Sequence, residues 1–179
     1  MLSVKRSACF AGHRSIECSD LLALKFCLNK TIKRLIQEGI FSFLCGGAIG
    51  FDMLAGHTVL DIKAKNYSVK LIMVLPCCEQ DSVWSENYKA AYRELLTNAD
   101  EIIYVSEKYY YGCTRERNLH LIEGSEVCIA YRKNKKARGG AGQAISLAKE
   151  KGIPIINLAD MLINTHIIQN SDLNLLTPV

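Results

Sequence analysis

The sequence predicts a three-layer α/β fold, in which a doubly wound and mostly parallel sheet carries helices on both faces. Short apolar runs recur along the chain, each nearly continuous in hydrophobicity, as in strands buried on both faces. Longer amphipathic stretches separate these runs, and such alternation is typical of parallel sheets. The predicted strands are Ala8–Gly12, Phe41–Gly47, Lys70–Pro76, Glu101–Ser106, Glu126–Tyr131 and Ile153–Leu158. The predicted helices are Asp20–Glu38, Asp52–Lys65, Val83–Thr97, Thr114–Glu123 and Gly142–Lys151, with Ser19 or Asp20 expected to cap the first.

The length and composition are those of one ordinary globular domain. The chain has 179 residues, of which 49% are hydrophobic and 22% charged. We expect a single nucleotide-binding domain over residues 1–160, followed by a C-terminal packing segment and tail over residues 161–179. The apolar part of that tail, Met161–Ile168, is a candidate for an oligomer interface, and we expect a homodimer or a higher homo-oligomer.

The charge is mildly basic, with a formal net charge of +4 and one dense basic segment, Arg132–Arg138. This favours a phosphorylated small molecule as partner and disfavours nucleic acid, because the segment lacks interleaved aromatic residues for base stacking. No apolar run approaches the ~18 to 20 residues of a membrane span, and the N-terminus lacks an apolar signal region. We therefore expect a cytoplasmic protein with no membrane partner.

The eight cysteines predict no metal site. Four of them, Cys9, Cys27, Cys45 and Cys128, lie in apolar runs, where a reduced cysteine serves as a small hydrophobe. Cys77 and Cys78 are adjacent and Cys113 stands alone, so no pair has the spacing of zinc ligands.

Polar and glycine-rich clusters follow four of the predicted strands. They are Gly12–Arg14, Gly46–Asp52, Pro76–Trp84 and Arg138–Gln143. Because ligands of open α/β sheets bind beyond the carboxyl ends of the strands, these clusters predict one binding rim.

Two of the clusters, "CGGAIGFD" and "RGGAGQ", are glycine-rich turns between a strand and a helix. Such a turn presents backbone N–H groups at the positive end of a helix, and glycine lets an anion approach closely. Neither turn matches the phosphate-loop pattern or the GxGxxG dinucleotide pattern. Tight turns with close packing of helix on sheet remain the alternative interpretation.

Four segments carry a resemblance to a known family: "CFAGHR", "FLCGGAIGFDMLA", the run from Leu75 to Arg132, and "GGAGQAISLAKEKGIPIINL". Together they resemble the YpsA-like branch of the SLOG superfamily, over roughly Arg6 to Leu158. That superfamily has Rossmann-like folds and joins the Lonely Guy phosphoribohydrolases, the DNA-processing DprA proteins and many nucleotide-binding domains. The resemblance implies a Rossmann-like fold that binds a nucleotide or an ADP-ribose-like ligand, with no cofactor assigned.

The resemblance, together with the rim, assigns candidate residues. The ligand-binding candidates are Gly12, His13, Arg14, Gly46, Gly47, Gly50, Asp52, Glu79, Trp84, Arg117, Asn118, Gly139, Gly140 and Gly142. Arg14 and Arg117 are expected to contact phosphate or ribose, with an ion pair to Glu116 or Glu123 as the alternative for Arg117.

The remaining side chains each have two interpretations. His13 is expected to orient a phosphate or to exchange a proton, and a merely solvated or structural loop histidine is the alternative. Asp52 accepts a bond from a ribose hydroxyl or caps its own helix. Glu79 and Trp84 read a base or ribose edge, or Trp84 packs in the core.

The sequence lacks the carboxylate that a phosphoribohydrolase of this superfamily would be expected to have. Lonely Guy phosphoribohydrolases carry a PGGxGTxxE segment, whereas this chain has "RGGAGQAIS", with Gln143 at the threonine position and no glutamate. Glu79 and Asp52 are the weak catalytic candidates that remain. The sequence therefore favours a nucleotide-binding sensor or regulatory domain, with N-glycosidic cleavage as one alternative and binding of single-stranded DNA as another.

Overall fold

A computed structural model describes residues 6–65, 67–133 and 139–162 of the chain. The elements alternate without exception along the described residues. They are β1 (Ser7–Gly12), α1 (Cys18–Gln37), β2 (Ser42–Cys45), α2 (Phe51–Lys63), β3 (Lys70–Leu75), α3 (Glu86–Asn98), β4 (Glu101–Tyr104), α4 (Cys113–Glu123), β5 (Val127–Tyr131), α5 (Gly140–Glu150) and β6 (Ile155–Asn157). A short helical segment, residues 158–162, ends the described chain.

The six strands form one parallel sheet in the order β4-β3-β2-β1-β5-β6. β1 lies inside the sheet, where Ala8 is level with Phe43 of β2 on one side and with Val127 of β5 on the other. The chain builds outward from β1 to β4 and then returns to the opposite side of β1. The strand order therefore reverses between β1 and β5, which is where such sheets bind ligands.

Helices cover both faces of the sheet. Side chains of α1, α2 and α3 form one apolar core with residues such as Phe10, Phe43 and Met73. Side chains of α4 and α5 form a second core on the other face, with Cys9, Leu44 and Cys128. Alternate residues of a strand point to opposite faces, so both layers need apolar partners and the central strands are apolar throughout. The predicted three-layer α/β fold is confirmed.

Two local predictions were wrong. α1 begins at Cys18, and its N-cap residue, Glu17, makes no side-chain cap bond. Asp20 lies inside the first turn, where its buried carboxylate accepts a hydrogen bond from the Tyr131 hydroxyl at 2.7 Å. α3 begins at Glu86 rather than Val83, because tight turns occupy residues 79–84 and bond Trp84 N–H to the Asp81 carbonyl.

Two sequence features fall partly outside the described residues. The basic segment is described only at Arg132 and Lys133, and the C-terminal tail only as far as Leu162. Among the described helices, none is long and apolar enough to span a membrane.

Candidate functional site

A cleft of about 390 Å³ opens at the carboxyl ends of β1 and β5. Its walls come from the loop after β1, the first turn of α2, one face of α4 and the amino end of α5. These elements meet because the strand order reverses between β1 and β5. The predicted rim is therefore a cleft, lined among others by Gly12, His13, Arg14, Asp52, Arg117, Asn118, Gly139, Gly140 and Gly142.

Backbone hydrogen bonds hold the loop after β1 to β5 on one side and to α2 on the other. His13 N–H donates to the Tyr131 carbonyl at 3.1 Å, and the His13 carbonyl accepts from Phe51 N–H at 3.0 Å. A Cβ at Gly12 would lie 2.4 Å from the Phe51 ring, so only glycine lets α2 approach β1 this closely. Arg14, which follows, is exposed at the mouth of the cleft.

His13 faces the cleft as a neutral base at neutral pH. Its ring packs edge-to-face on Tyr131, with centroids 6.1 Å apart. Burial, together with the positive charge of Arg132, lowers the pKa of His13 below its usual value. The side chain can therefore donate or accept a hydrogen bond without adding a charge to the cleft.

A buried ion pair forms the floor of the cleft. Arg117 Nη1 of α4 lies 3.6 Å from Asp52 Oδ2 of α2, and the two side chains are 7% and 8% exposed. The guanidinium crosses the backbone of Gly46, where a Cβ would lie 1.6 Å from Nη1. An ion pair to Glu116 or Glu123 was the alternative role predicted for Arg117. In the structure, Arg117 pairs with Asp52 instead.

The guanidinium has unused hydrogen-bonding capacity. Among the described residues, Arg117 Nε and Nη1 are buried and have no hydrogen-bond partner, since the 3.6 Å separation from Asp52 is an ion pair without a hydrogen bond. A buried donor without a partner is costly, and ligands commonly satisfy such groups. Arg117 therefore places a positive charge at the floor of the cleft, with two N–H groups that no described residue engages.

Asp52 is the carboxyl group at the floor of the cleft, and its pKa is strongly shifted. Burial raises its pKa to about 6, against the opposing effects of Arg117, of the Ala48 N–H bond and of Arg14. The residue is not the N-cap of α2, because Gly50 occupies that position. Its carboxylate instead lies in the first helical turn and accepts from Ala48 N–H.

The glycines of the turn after β2 do not line the cleft. A Cβ at Gly47 would meet Met73 and Tyr92, and one at Gly50 would lie 2.2 Å from the Arg14 carbonyl oxygen. Phe51 N–H is bonded to His13 and Met53 N–H to Ala48. Close packing between protein groups accounts for this glycine cluster.

The amino end of α5 is open, in contrast. A Cβ at Gly139 or Gly140 would meet no described atom within 4 Å. The first-turn N–H groups of a helix have no partner within the helix, so at this end they can bond to an acceptor outside it. Asn118 holds it in place, since its Nδ2 donates to the Gly140 carbonyl and to Gln143 Oε1, both at 3.1 Å.

A second lobe of about 250 Å³ adjoins the first. It contains Glu79 and Trp84, the two candidates after β3, together with Tyr109 from the loop before α4. Trp84 also packs edge-to-face on Tyr92 at 5.2 Å, so it serves both the core and the lobe. The catalytic candidates are divided, with Asp52 in the first lobe and Glu79 in the second.

Sequence reasoning missed two residues of the site. Thr114 lines both lobes and precedes Arg117 by three positions, which places both on one helix face. Gln80 donates its Nε2 to the Gly46 carbonyl at 3.2 Å and so ties the loop after β3 to the glycine turn. Helical periodicity could have found Thr114, but no local signal marks Gln80.

A polar network just beyond the carboxyl end of β5 was also missed. Lys133 Nζ lies 2.7 Å from Asp20 Oδ2 and 2.9 Å from Glu17 Oε2, and these contacts raise the pKa of Lys133. The network attaches the end of β5 to the start of α1.

The arrangement suits an anion with a further polar group. The first lobe offers Arg14, Arg117, Thr114 and the amino end of α5 as donors, and the second lobe adds a carboxylate and aromatic walls. Within the described ranges, no cluster of three or more His, Cys, Asp or Glu side chains has the arrangement of a metal site.

Comparison with known proteins agrees with this architecture. At the level of structure, the chain is similar to DNA processing protein A from Helicobacter pylori, with a TM-score of 0.61 and 21% identity over 86% of this chain and 67% of that one. It is also similar to the crystal structure of TM1055, with a TM-score of 0.53 and 16% identity over 87% of this chain and 79% of that one. At these identities, the likeness concerns the fold.

Sequence relatives are more specific. The chain is 34% identical to the SPbeta prophage-derived protein YoqJ of Bacillus subtilis, over 73% of this chain and 82% of that protein. It is 27% identical to the UPF0398 protein BH1768 of Halalkalibacterium halodurans, over 72% and 68% of the two chains. The profile of the YspA SLOG family matches residues 9–158, which contain β1 from Cys9 onward, all of β2 to β6 and every residue that lines the cleft. The chain therefore belongs to the YspA SLOG family.

Proposed function

We propose that this protein binds a nucleotide or a nucleotide-derived small molecule in the cleft between β1 and β5, as a sensor or regulatory domain. One observation carries the proposal: the buried Arg117 guanidinium, with Nε and Nη1 unpartnered among the described residues, lies in the same cleft as the open amino end of α5. A phosphate in the cleft would be attracted by the charge of the guanidinium and would accept hydrogen bonds from the helix donors.

The placement of the other candidates supports a ligand longer than phosphate alone. Arg14, Thr114 and Arg117 line both lobes, so a molecule bound at the amino end of α5 can continue into the second lobe. Asp52 and His13 lie along the first lobe, within which a ribose would follow the phosphate. A sugar hydroxyl can donate to Asp52 and accept from His13.

The test is a thermal-shift and calorimetric titration with nucleoside mono-, di- and triphosphates and ADP-ribose. A ligand at a hundredfold excess over its Kd stabilises the fold by ~2.7 kcal/mol. Arg14→Ala should abolish most of the shift without unfolding the protein, because Arg14 is exposed. Arg93→Ala, on the exposed side of α3, is the matched control and should retain the shift.

The outcomes separate the interpretations. A shift in the wild type that Arg14→Ala loses and Arg93→Ala keeps, with the ligand recovered intact, supports a binding domain. A shift with a cleaved ligand supports N-glycosidic cleavage, for which Asp52, with its pKa near 6, and His13 are the groups in the first lobe able to exchange a proton. The absence of a shift with every nucleotide would overturn the proposal.

Single-stranded DNA is the second candidate, favoured by the similarity to the H. pylori protein, whose structure is described by its single-stranded DNA binding mode. Arg132 and Lys133 begin the basic segment beside the cleft. A labelled oligothymidylate distinguishes this function, because phosphate-backbone binding weakens steeply with salt. Equal affinity at low and high salt, or no binding, would exclude it.

A further inference from the structure

The second lobe has a composition different from that of the first. Its walls include the aromatic rings of Trp84 and Tyr109, and the latter is 69% exposed. Pro76, Cys77 and Val83 add apolar surface. Arg14 and Arg117 lie where the lobes join, and Glu79 is the one carboxylate among the described residues that line the second lobe.

This composition selects a flat group that carries hydrogen-bond donors. Aromatic walls favour a planar π system, because the flat face of a base stacks on aromatic side chains. An ionised carboxylate only accepts hydrogen bonds, and its two oxygens bind best to two parallel N–H donors. The ligand group in this lobe should therefore present two adjacent N–H groups on one edge.

Among the common bases, guanine fits this requirement. Its pairing edge has the N1–H and the 2-amino group side by side, and both donate. Adenine and cytosine place a ring nitrogen acceptor beside their amino group, so that one carboxylate oxygen would face a lone pair. Uracil has a single N–H between two carbonyl oxygens. Hypoxanthine keeps the N1–H of guanine and lacks the 2-amino group.

We propose that the second lobe is a nucleobase subsite that prefers guanine, with Glu79 accepting from N1–H and the 2-amino group. The proposal rests on the proposed nucleotide-binding function and names the class of ligand. Thr114, at the junction of the lobes, then lies against the sugar. Trp84 is anchored by Tyr92, so one wall of the subsite is already in place.

The experiment compares the affinities of GMP, IMP, AMP and ribose 5-phosphate for the full chain by calorimetry. We expect GMP to bind about tenfold more tightly than IMP, because only GMP has the 2-amino group that gives the charged carboxylate a second hydrogen bond. AMP should bind more weakly still, since its N1 lone pair faces the carboxylate. In Glu79→Gln, the preference for GMP over IMP should fall to near unity, while the affinity for ribose 5-phosphate is unchanged.

Glu101→Gln is the matched control, since it removes the same charge from an exposed position on the edge strand β4. It should keep the wild-type order of affinities. Equal binding of GMP and AMP by the wild type, or an unchanged ratio of GMP to IMP in Glu79→Gln, would overturn the guanine subsite while leaving the nucleotide proposal in place. If neither a nucleotide nor ribose 5-phosphate binds, the proposed function fails, and the subsite with it.

Discussion

The two glycine-rich turns have similar sequences and opposite environments. In the turn after β2, every glycine faces protein atoms: Arg117 at Gly46, Met73 at Gly47 and the Arg14 backbone at Gly50. In the turn after β5, Gly139 and Gly140 face open space among the described residues. A glycine cluster thus shows that something approaches the backbone closely, but it does not say whether that is the protein or a ligand.

The filled turn and the open turn are linked through one side chain. Arg117 occupies the space above Gly46 and also lines the cleft that the amino end of α5 faces. The missing Cβ at Gly46 lets the guanidinium lie deep in the fold, close to Asp52. One glycine turn therefore gives room for a positive charge in the cleft, and the positive amino end of the helix at the other turn faces the same cleft.

The largest expected effect comes from filling the space above Gly46. Gly46→Ala places a methyl group on the guanidinium and within 2.8 Å of Asp52 Oδ2, so the buried pair must separate. Breaking a buried ion pair costs about 3–5 kcal/mol, and we expect a loss of that size in the free energy of urea unfolding. Gly140→Ala is the control at the open turn. A loss of less than about 1 kcal/mol would mean that the guanidinium has room to move.

The next effect concerns pH. Asp52 has a pKa of about 6 in the folded chain, above its unfolded value, so its contribution to stability is greatest at low pH and is lost as pH rises through about 6. A folded-state pKa about two above the unfolded value corresponds to a change of about 3 kcal/mol in the free energy of unfolding. The free energy of unfolding of the wild type, measured relative to Asp52→Asn, should therefore fall between about pH 4 and pH 7.

The contribution of Asp100 to stability is expected to have the opposite dependence on pH. Burial alone would raise its pKa, but the bonds from Lys63 and from Leu71 N–H outweigh burial and lower it. Stability relative to Asp100→Asn should therefore be present at neutral pH and be lost as pH falls through the lowered pKa. If the Asp52 comparison had this same direction, Arg117 would outweigh burial at the floor of the cleft.

A smaller effect is expected from loosening the open turn. Asn118→Ala removes the bonds to the Gly140 carbonyl and to Gln143 Oε1, which should cost about 1–2 kcal/mol of folding free energy. It should also reduce the thermal shift produced by nucleotides, because the donors of α5 lose their fixed position. Asn98→Ala, which removes one exposed bond to the Glu94 carbonyl, is the matched control and should change neither quantity.

The variant with the smallest expected effect on stability tests the comparison of the two glycine turns most directly. Gly140→Ala adds a methyl group in open space, so unfolding should change by no more than about 1 kcal/mol, in the stabilising direction that helix propensity favours. The thermal shift produced by nucleotides should nevertheless fall, because a phosphate would need the same space. A full shift in this variant would mean that the anion binds elsewhere in the cleft.

The sequence by itself determined the fold, because its signals are local. The continuous apolar strands and the amphipathic helices between them follow from burial on one or two faces, and each predicted strand and helix is present in the structure. The boundaries shifted where tight turns or a buried side chain competed, as at Glu86 and Cys18. The placement of polar clusters after the strands likewise predicted which end of the sheet holds the cleft.

Only the tertiary structure decided which glycine turn is filled. Arg117 reaches Gly46 from a helix 71 positions later in the chain, on the opposite face of the sheet from α2. No pattern within either segment records that approach, because it depends on how α2 and α4 pack across the carboxyl end of the sheet. The same packing buries Asp52 and raises its pKa.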